Sequence, residues 1–108
     1  MHIDWLDSNR LNPERLSAVL PDVSQVDGVE AARTVAIIET ASARRGVGQI
    51  WCLKEGSKII LARIAWIEGG FVMMPPRVDQ APRVVRLDDP SAPYPLGRVA
   101  CLAVITPG

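Results

Sequence analysis

The sequence predicts an α+β domain in which two N-terminal helices pack on a small, five-stranded, mainly antiparallel barrel or bent sheet. Three observations lead to this prediction. Apolar residues recur at helical spacing before residue 46, runs of β-branched and aromatic residues follow residue 47, and glycine or proline interrupts the second half at short intervals. Helices followed by short strands with tight turns are typical of an α+β fold. We therefore expect a single domain over 1–108, with a helical part at 1–46 and a β part at 47–108.

The first predicted helix runs from Asn12 to Leu20. Asn12 suits the N-cap because its side chain accepts a hydrogen bond from an otherwise unpaired amide, and Pro13 has no amide hydrogen that would need a partner. Pro21 ends the segment because a proline inside a helix removes a hydrogen bond and clashes with the preceding turn. The apolar stripe of this helix consists of Leu16, Val19 and Leu20.

The second predicted helix runs from Asp27 to about Ala43. Asp27 can cap the first turn, and Glu30 stands three residues later, as in a capping box. Apolar residues continue at helical spacing, and Gly46 follows as a residue suited to the C-terminal end of a helix. The apolar positions are Val29, Ala32, Val35 and Ala36.

Five strands are predicted after Gly48, at 49–53, 58–67, 71–74, 83–87 and 97–106. Residues 59–67 are apolar at both alternating sets of positions, which indicates a strand covered on both faces or one inside a small barrel. Gly69-Gly70 predicts a tight hairpin. The proline-rich segment from Asp88 to Pro95 predicts an extended loop.

Composition narrows the class of protein. Apolar residues make up 48% of the chain and charged residues 22%, and twelve acids balance twelve bases. The apolar content argues against disorder, and the neutral balance argues against a dedicated nucleic-acid-binding protein. No apolar run is long enough to span a membrane and no signal peptide is visible, so we expect a cytoplasmic protein. Cys52 and Cys101 lie in apolar runs and are expected to be reduced core thiols.

No combination of residues predicts catalysis, a metal or a cofactor. His2 is the single histidine, and two cysteines without a second histidine make no zinc pattern. Gly46 and Gly48 follow a predicted helix instead of opening one, so they do not form a phosphate-binding loop. Asp88 and Asp89 are adjacent in a loop, where neighbouring side chains diverge.

Arginines are the candidate binding residues. In a small barrel they would line one groove and face an anion, although two of them are three apart on one predicted strand and cannot share its face. The alternative is a solvated sheet face on which they pair with Asp79, Asp88 and Asp89. The candidates are Arg44, Arg45, Arg77, Arg83 and Arg86.

Four short segments carry a resemblance to a known family. They are Arg-Gly-Val-Gly-Gln-Ile-Trp at 45–51, Val-Met-Met-Pro at 72–75, Ala-Pro-Arg-Val-Val-Arg-Leu at 81–87 and Leu-Gly-Arg-Val at 96–99. Their succession resembles that of MazF/PemK-type toxin ribonucleases. The resemblance covers about sixty residues and implies an SH3-like barrel and single-stranded RNA as a ligand or substrate. This chain lacks the family's Arg-Pro before the second long strand, and Pro76-Arg77 stands where a Ser or Thr is expected. Those are the positions that would carry RNA cleavage.

The same half also looks like the catalytic barrel of LexA/UmuD-type self-cleaving peptidases. In that comparison Ser42 falls near the nucleophile, and Met73 or Met74 stands where a general-base lysine is needed. A methionine does not accept the serine proton, so the resemblance implies a barrel without its dyad.

We therefore expect a small, non-catalytic accessory or regulatory domain of bacterial or phage type that binds a macromolecular partner, protein rather than nucleic acid. A homodimer is also expected, because the apolar last strand can self-associate if it lies at a sheet edge. One alternative is a MazF/PemK-like RNA-binding protein or endoribonuclease. Another is a barrel that binds a small molecule near Trp66, Phe71 and Met74.

Overall fold

A computed structural model describes residues 15–105 and contains eight strands in one sheet. A 3-10 turn, Ala31–Arg33, precedes the third strand. No helix in the described part of the chain is long and apolar enough to cross a bilayer. The strands are β1 (Leu16–Val19), β2 (Val23–Ser24), β3 (Thr34–Glu39), β4 (Val47–Glu55), β5 (Lys58–Ile67), β6 (Gly70–Met74), β7 (Arg83–Arg86) and β8 (Tyr94–Val104).

The predicted α+β class is wrong, because both segments predicted as helices pair as strands. In the first, residues 12–14 lie outside the described range and Leu16–Val19 is β1, antiparallel to β3. In the second, residues 34–39 form β3, which pairs with β1 on one edge and β8 on the other. The 1–46 part is therefore not helical where it is described, and the sheet has eight strands instead of five. Hydrogen bonds to neighbouring strands, from β1 to β3 and from β3 to both β1 and β8, outweigh the local helix signals.

The strand order is β1-β3-β8-β4-β5-β6-β7, and β2 pairs with β5 in parallel. Residues 20–22 connect β1 directly to β2, so the path from β1 through β3, β8, β4 and β5 returns to its start and closes a ring. Two backbone bonds of 2.8 Å fix the closure, from the amide of Asp22 to the carbonyl of Ile59 and from that of Gln25 to Leu61. The β6–β7 hairpin continues from the far half of β5.

Two hydrophobic cores result from this arrangement. The inner core lies inside the ring, and its buried residues are Val26, Ala36, Ile38, Cys52 and Leu61. The outer core lies between the other face of β4–β5 and the β6–β7 hairpin. Its buried residues are Trp51, Leu53, Ile60, Ala62, Ile64, Phe71, Met73 and Val85.

Strands β4 and β5 contribute to both cores. On β4, Cys52 faces the inner core, and its neighbours Trp51 and Leu53 face the outer one. On β5, Leu61 is an inner residue and Ile60 an outer one. This two-sided burial agrees with the prediction that residues 59–67 form a strand covered on both faces, since successive side chains in a strand point to opposite faces.

Candidate binding site

Strand β8 changes partner along its length and leaves an open wedge. Its first half pairs with β4 up to the Arg98–Trp51 pair, and its second half pairs with β3. Residues 47–50 of β4 pair with β5 alone. Within residues 15–105, the β8 edge that faces β4 therefore has no strand beside it at 99–104, and the β4 edge that faces β8 has none at 47–50. We call this gap the β8–β4 wedge and the Arg98–Trp51 pair its apex.

A β-bulge at Gly48 lies at the start of β4, beside the β8–β4 wedge. Gly48 has a φ of 83°, a left-handed conformation that favours glycine, and the register with β5 shifts between Val47 and Gln49. The carbonyl of Gly48 accepts a 2.9 Å hydrogen bond from Nη1 of Arg63. The Trp66 amide donates a 2.9 Å bond to the Gly46 carbonyl. The start of β4 is thus hydrogen-bonded to β5.

Apolar residues lie along both edges of the wedge. Val47 is 71% exposed on the β4 edge, and Val104 is 68% exposed on the β8 edge. Ile50, Val99 and Leu102 are half-buried and pack on the inner core. Residues 99–105 contain no charged side chain. The two strand edges that border the wedge are therefore uncharged.

A polar cleft of about 220 Å³ lies at the apex, lined by Glu39, Ser42, Ala43, Arg45, Gln49 and Arg98. Nη2 of Arg98 is 2.9 Å from Oε2 of Glu39, and these side chains are 34% and 21% exposed. The Ser42 hydroxyl donates to the Glu39 carbonyl and accepts from the Arg98 amide at 3.3 Å. These contacts hold the loop after β3 against β8.

The net charge of the cleft is positive, because its lining includes Arg45 and Arg98 but only one carboxylate, that of Glu39. Among residues 15–105, the side chains of Arg45 and Gln49 have no hydrogen-bond partner. The neighbouring Arg44 lies 5.7 Å from the centroid of the exposed Tyr94 ring, a cation–π distance. The arrangement leaves hydrogen-bond donors free for a small anionic group.

The structure does not gather the five predicted arginines into one groove. Arg45 lines the apex cleft. Arg83 is the first residue of β7, and its Nη2 is 2.7 Å from Oε2 of Glu55 at the end of β4. Arg86 falls on the opposite face of β7 from Arg83, as their spacing predicts. Arg77 is exposed in the loop after β6.

Sequence reasoning missed Arg98 and Gln49. Arg98 is the one charged residue between Pro95 and Ile105, and a lone arginine within an apolar strand is a signal for a buried or paired charge. Gln49 gives no such signal. Its place in the cleft depends on the bulge at Gly48, where its carboxamide lies against Gly46.

The residues considered for a peptidase dyad or for a small-molecule site make packing contacts or hydrogen bonds within the fold. Ser42 is bonded to the backbone of β3 and β8, and Met73 is buried in the outer core with 2% exposure. Trp66 lies edge-on to Phe71 at a centroid distance of 5.2 Å and to Trp51 at 4.9 Å. The indole Nε1 atoms of both tryptophans are buried without an acceptor in the described range. These aromatic rings fill the outer core.

No protein-family model, curated protein or solved structure was found to match this chain. The likeness to MazF/PemK-type ribonucleases therefore stays a prediction.

Proposed function

We propose that this chain is a non-catalytic accessory domain that binds a protein partner, taking up an extended segment of that partner as an added strand in the β8–β4 wedge. The observation that supports this proposal is the free β8 edge at 99–104, which has backbone donors and acceptors without a strand partner in the described chain. Added strands bind through main-chain hydrogen bonds, and side-chain pockets supply selectivity.

The chemistry of the edge favours strand addition. Proteins protect free edges with charges, prolines or bulges, because an unprotected edge pairs with other chains. The outermost strand β7 carries Arg83 and Arg86, whereas residues 99–105 carry no charge. An uncharged edge beside half-buried apolar residues is a surface on which an extended apolar segment gains both hydrogen bonds and burial.

The same β8 edge would also pair with the β8 edge of a second copy of the chain. Two β8 edges related by a two-fold axis would pair antiparallel, each with the same residues of the other. The homodimer expected from the apolar last strand would use this pairing. It would then compete with a partner segment for the same hydrogen-bonding groups.

A charge placed on the edge tests the proposal. Val104→Lys adds an ammonium group at a 68% exposed position of β8, and Val78→Lys adds one in the loop after β6, where Val78 is fully exposed. Random peptides displayed on phage should yield binders to the wild-type protein. We expect Val104→Lys to weaken their binding at least about tenfold, because a lysine at a strand edge opposes pairing, and Val78→Lys to leave it unchanged.

Light scattering on the same proteins reports self-association. A dimer mass that Val104→Lys reduces to that of a monomer would assign the edge to a second copy. A monomer at high concentration, together with no peptide binder, would refute the use of this edge altogether.

RNA binding is a weaker proposal, because Glu55 compensates the charge of Arg83. Its test is RNA cleavage that is lost in Arg77→Ala or Arg83→Ala. The small-molecule alternative is also weaker, since Phe71 is fully buried and Trp66 packs against it. A cytoplasmic location remains a prediction.

A further inference from the structure

We propose that the segment bound in the β8–β4 wedge is the carboxy-terminal end of the partner, and that Arg45, Gln49 and Arg98 hold its terminal carboxylate. This inference rests on the proposed function and names the part of the partner that is recognised. It comes from the position of the polar cleft at the closed end of an otherwise apolar wedge.

The direction of a bound strand follows from the direction of β8. Strand β8 runs from the apex at Arg98 towards the open end at Val104, so a segment antiparallel to it runs towards the apex and ends there. A parallel segment would place its amino terminus at the apex. Because the cleft carries a net positive charge from Arg45, Arg98 and Glu39, it favours a carboxylate there and disfavours an ammonium group.

The cleft has the donors that a carboxylate needs. A guanidinium has five N–H donors, and Arg98 uses its Nη2 on Glu39, which leaves donors on its other nitrogens. Arg45 and the Gln49 carboxamide add more, and neither has a partner among residues 15–105. Charge-assisted hydrogen bonds of this kind are about twice as strong as neutral ones. The pairing of Glu39 with Arg98 also reduces its repulsion of an incoming anion.

The apex and the edges of the wedge therefore favour different chemical groups in a ligand. The apex has cationic and amide donors, whereas the residues along the two edges, among them Val47, Ile50 and Leu102, are apolar. An internal segment of a partner would have to continue past the apex, where Trp51 and Arg98 are paired and close the gap. A free chain end that is apolar over its last residues satisfies both requirements.

The test compares chain ends. Random peptides are displayed on phage with either a free carboxyl end or both ends joined to carrier protein. The tightest binder is then synthesised as the acid, as the C-terminal amide and with one added residue. We expect binders from the free-end display, with the acid about tenfold or more tighter than the amide or the extended peptide, because the amide loses the charge.

Variants of the cleft locate the carboxylate. Arg45→Ala removes an exposed guanidinium, and Arg44→Ala removes its exposed neighbour beside Tyr94. We expect Arg45→Ala to reduce the preference for the acid over the amide while leaving affinity for the amide unchanged, and Arg44→Ala to change neither affinity. Arg98→Ala is not suitable, because it would leave Glu39 unpaired.

Each outcome decides between the two proposals. Acid and amide of equal affinity, or binders from the joined-end display alone, would refute carboxylate recognition and leave strand addition standing. An acid preference that Arg45→Ala does not alter would place the carboxylate outside this cleft and refute the inference. No binder in either display would refute the proposed function and the inference with it.

Discussion

Burial of Cys52 predicts that this protein loses stability in alkaline solution. The Cys52 side chain lies in the inner core with 0% exposure. Loss of hydration on burial raises the pKa of its thiol from an ordinary value of 9.0 to about 11. The folded state therefore keeps this proton at a pH at which the unfolded chain releases it. Stability from this group is complete below about pH 9 and is lost as the pH rises towards about 11.

The magnitude follows from the two pKa values. At pH 10 the unfolded thiol is mostly ionised and the folded one mostly protonated, which favours unfolding by about 1 kcal/mol relative to pH 7. The largest loss, reached well above pH 11, is about 3 kcal/mol. In denaturant unfolding, a loss of this size at pH 10 moves the midpoint visibly at constant slope.

Two cysteine variants isolate the effect from the other groups that titrate in alkali. Free energies of unfolding are measured for wild type, Cys52→Ala and Cys101→Ala at pH 7 and pH 10, under reducing conditions. Cys52→Ala removes the titrating group, so its loss between the two pH values should be about 1 kcal/mol smaller than that of wild type. Cys101→Ala is the matched control, because it removes a thiol that is only half-buried. Equal losses in wild type and Cys52→Ala would refute the reasoning.

Three further substitutions test the packing. Gly97→Ala would put a Cβ 2.6 Å from the carbonyl oxygen of Glu39, so thermal unfolding should show a loss of more than about 2 kcal/mol, and a near-wild-type midpoint would contradict the close approach. Gly56→Ala meets nothing within 4 Å and bears only the strain of its φ of 62°, so its loss should be about 1 kcal/mol. Arg83→Ala removes an exposed ion pair with Glu55 and should change the free energy of unfolding by less than about 1 kcal/mol at moderate salt, with a larger change showing a coupled network.

The β part of the fold was predictable because its signals are local. The turn at Gly56 separates β4 from β5, and Gly69, with a φ of 75°, turns β5 into β6. Apolar residues at both alternating sets of positions in β5 indicated burial on both faces before any partner strand was known. The predicted loop at 88–95 was too long, since β8 begins at Tyr94.

The first part was misread because short apolar runs fit two periods. Val35 and Ala36 suit a helical stripe, but Val35 belongs to a run of β-branched residues that includes Ile37 and Ile38, and such residues favour strands. The run pairs on both edges, with β1 and with β8, and those partners come from distant parts of the sequence. Local capping signals at Asp27 and Glu30 instead mark a turn and the approach to a 3-10 turn.

The candidate site was predictable in part. Arg45 was identified from its charge, but its neighbours in the cleft come from β3, β4 and β8, and sequence spacing does not report which strands are adjacent. The wedge itself depends on β8 leaving β4 at Arg98, a change of partner that no residue pattern announces.

Strands β4 and β5 lie between the two cores and contribute side chains to both. Packing in each core therefore fixes the register of these two strands. An insertion or deletion of one residue in either strand would exchange the linings, presenting Trp51 and Leu53 to the interior of the ring and Cys52 to the chamber beneath the β6–β7 hairpin. Packing would then be lost in both cores, since neither core has room for the side chains of the other. We therefore expect insertions and deletions to be tolerated in the turns and not within β4 or β5, whose alignment sets the positions of the other strands.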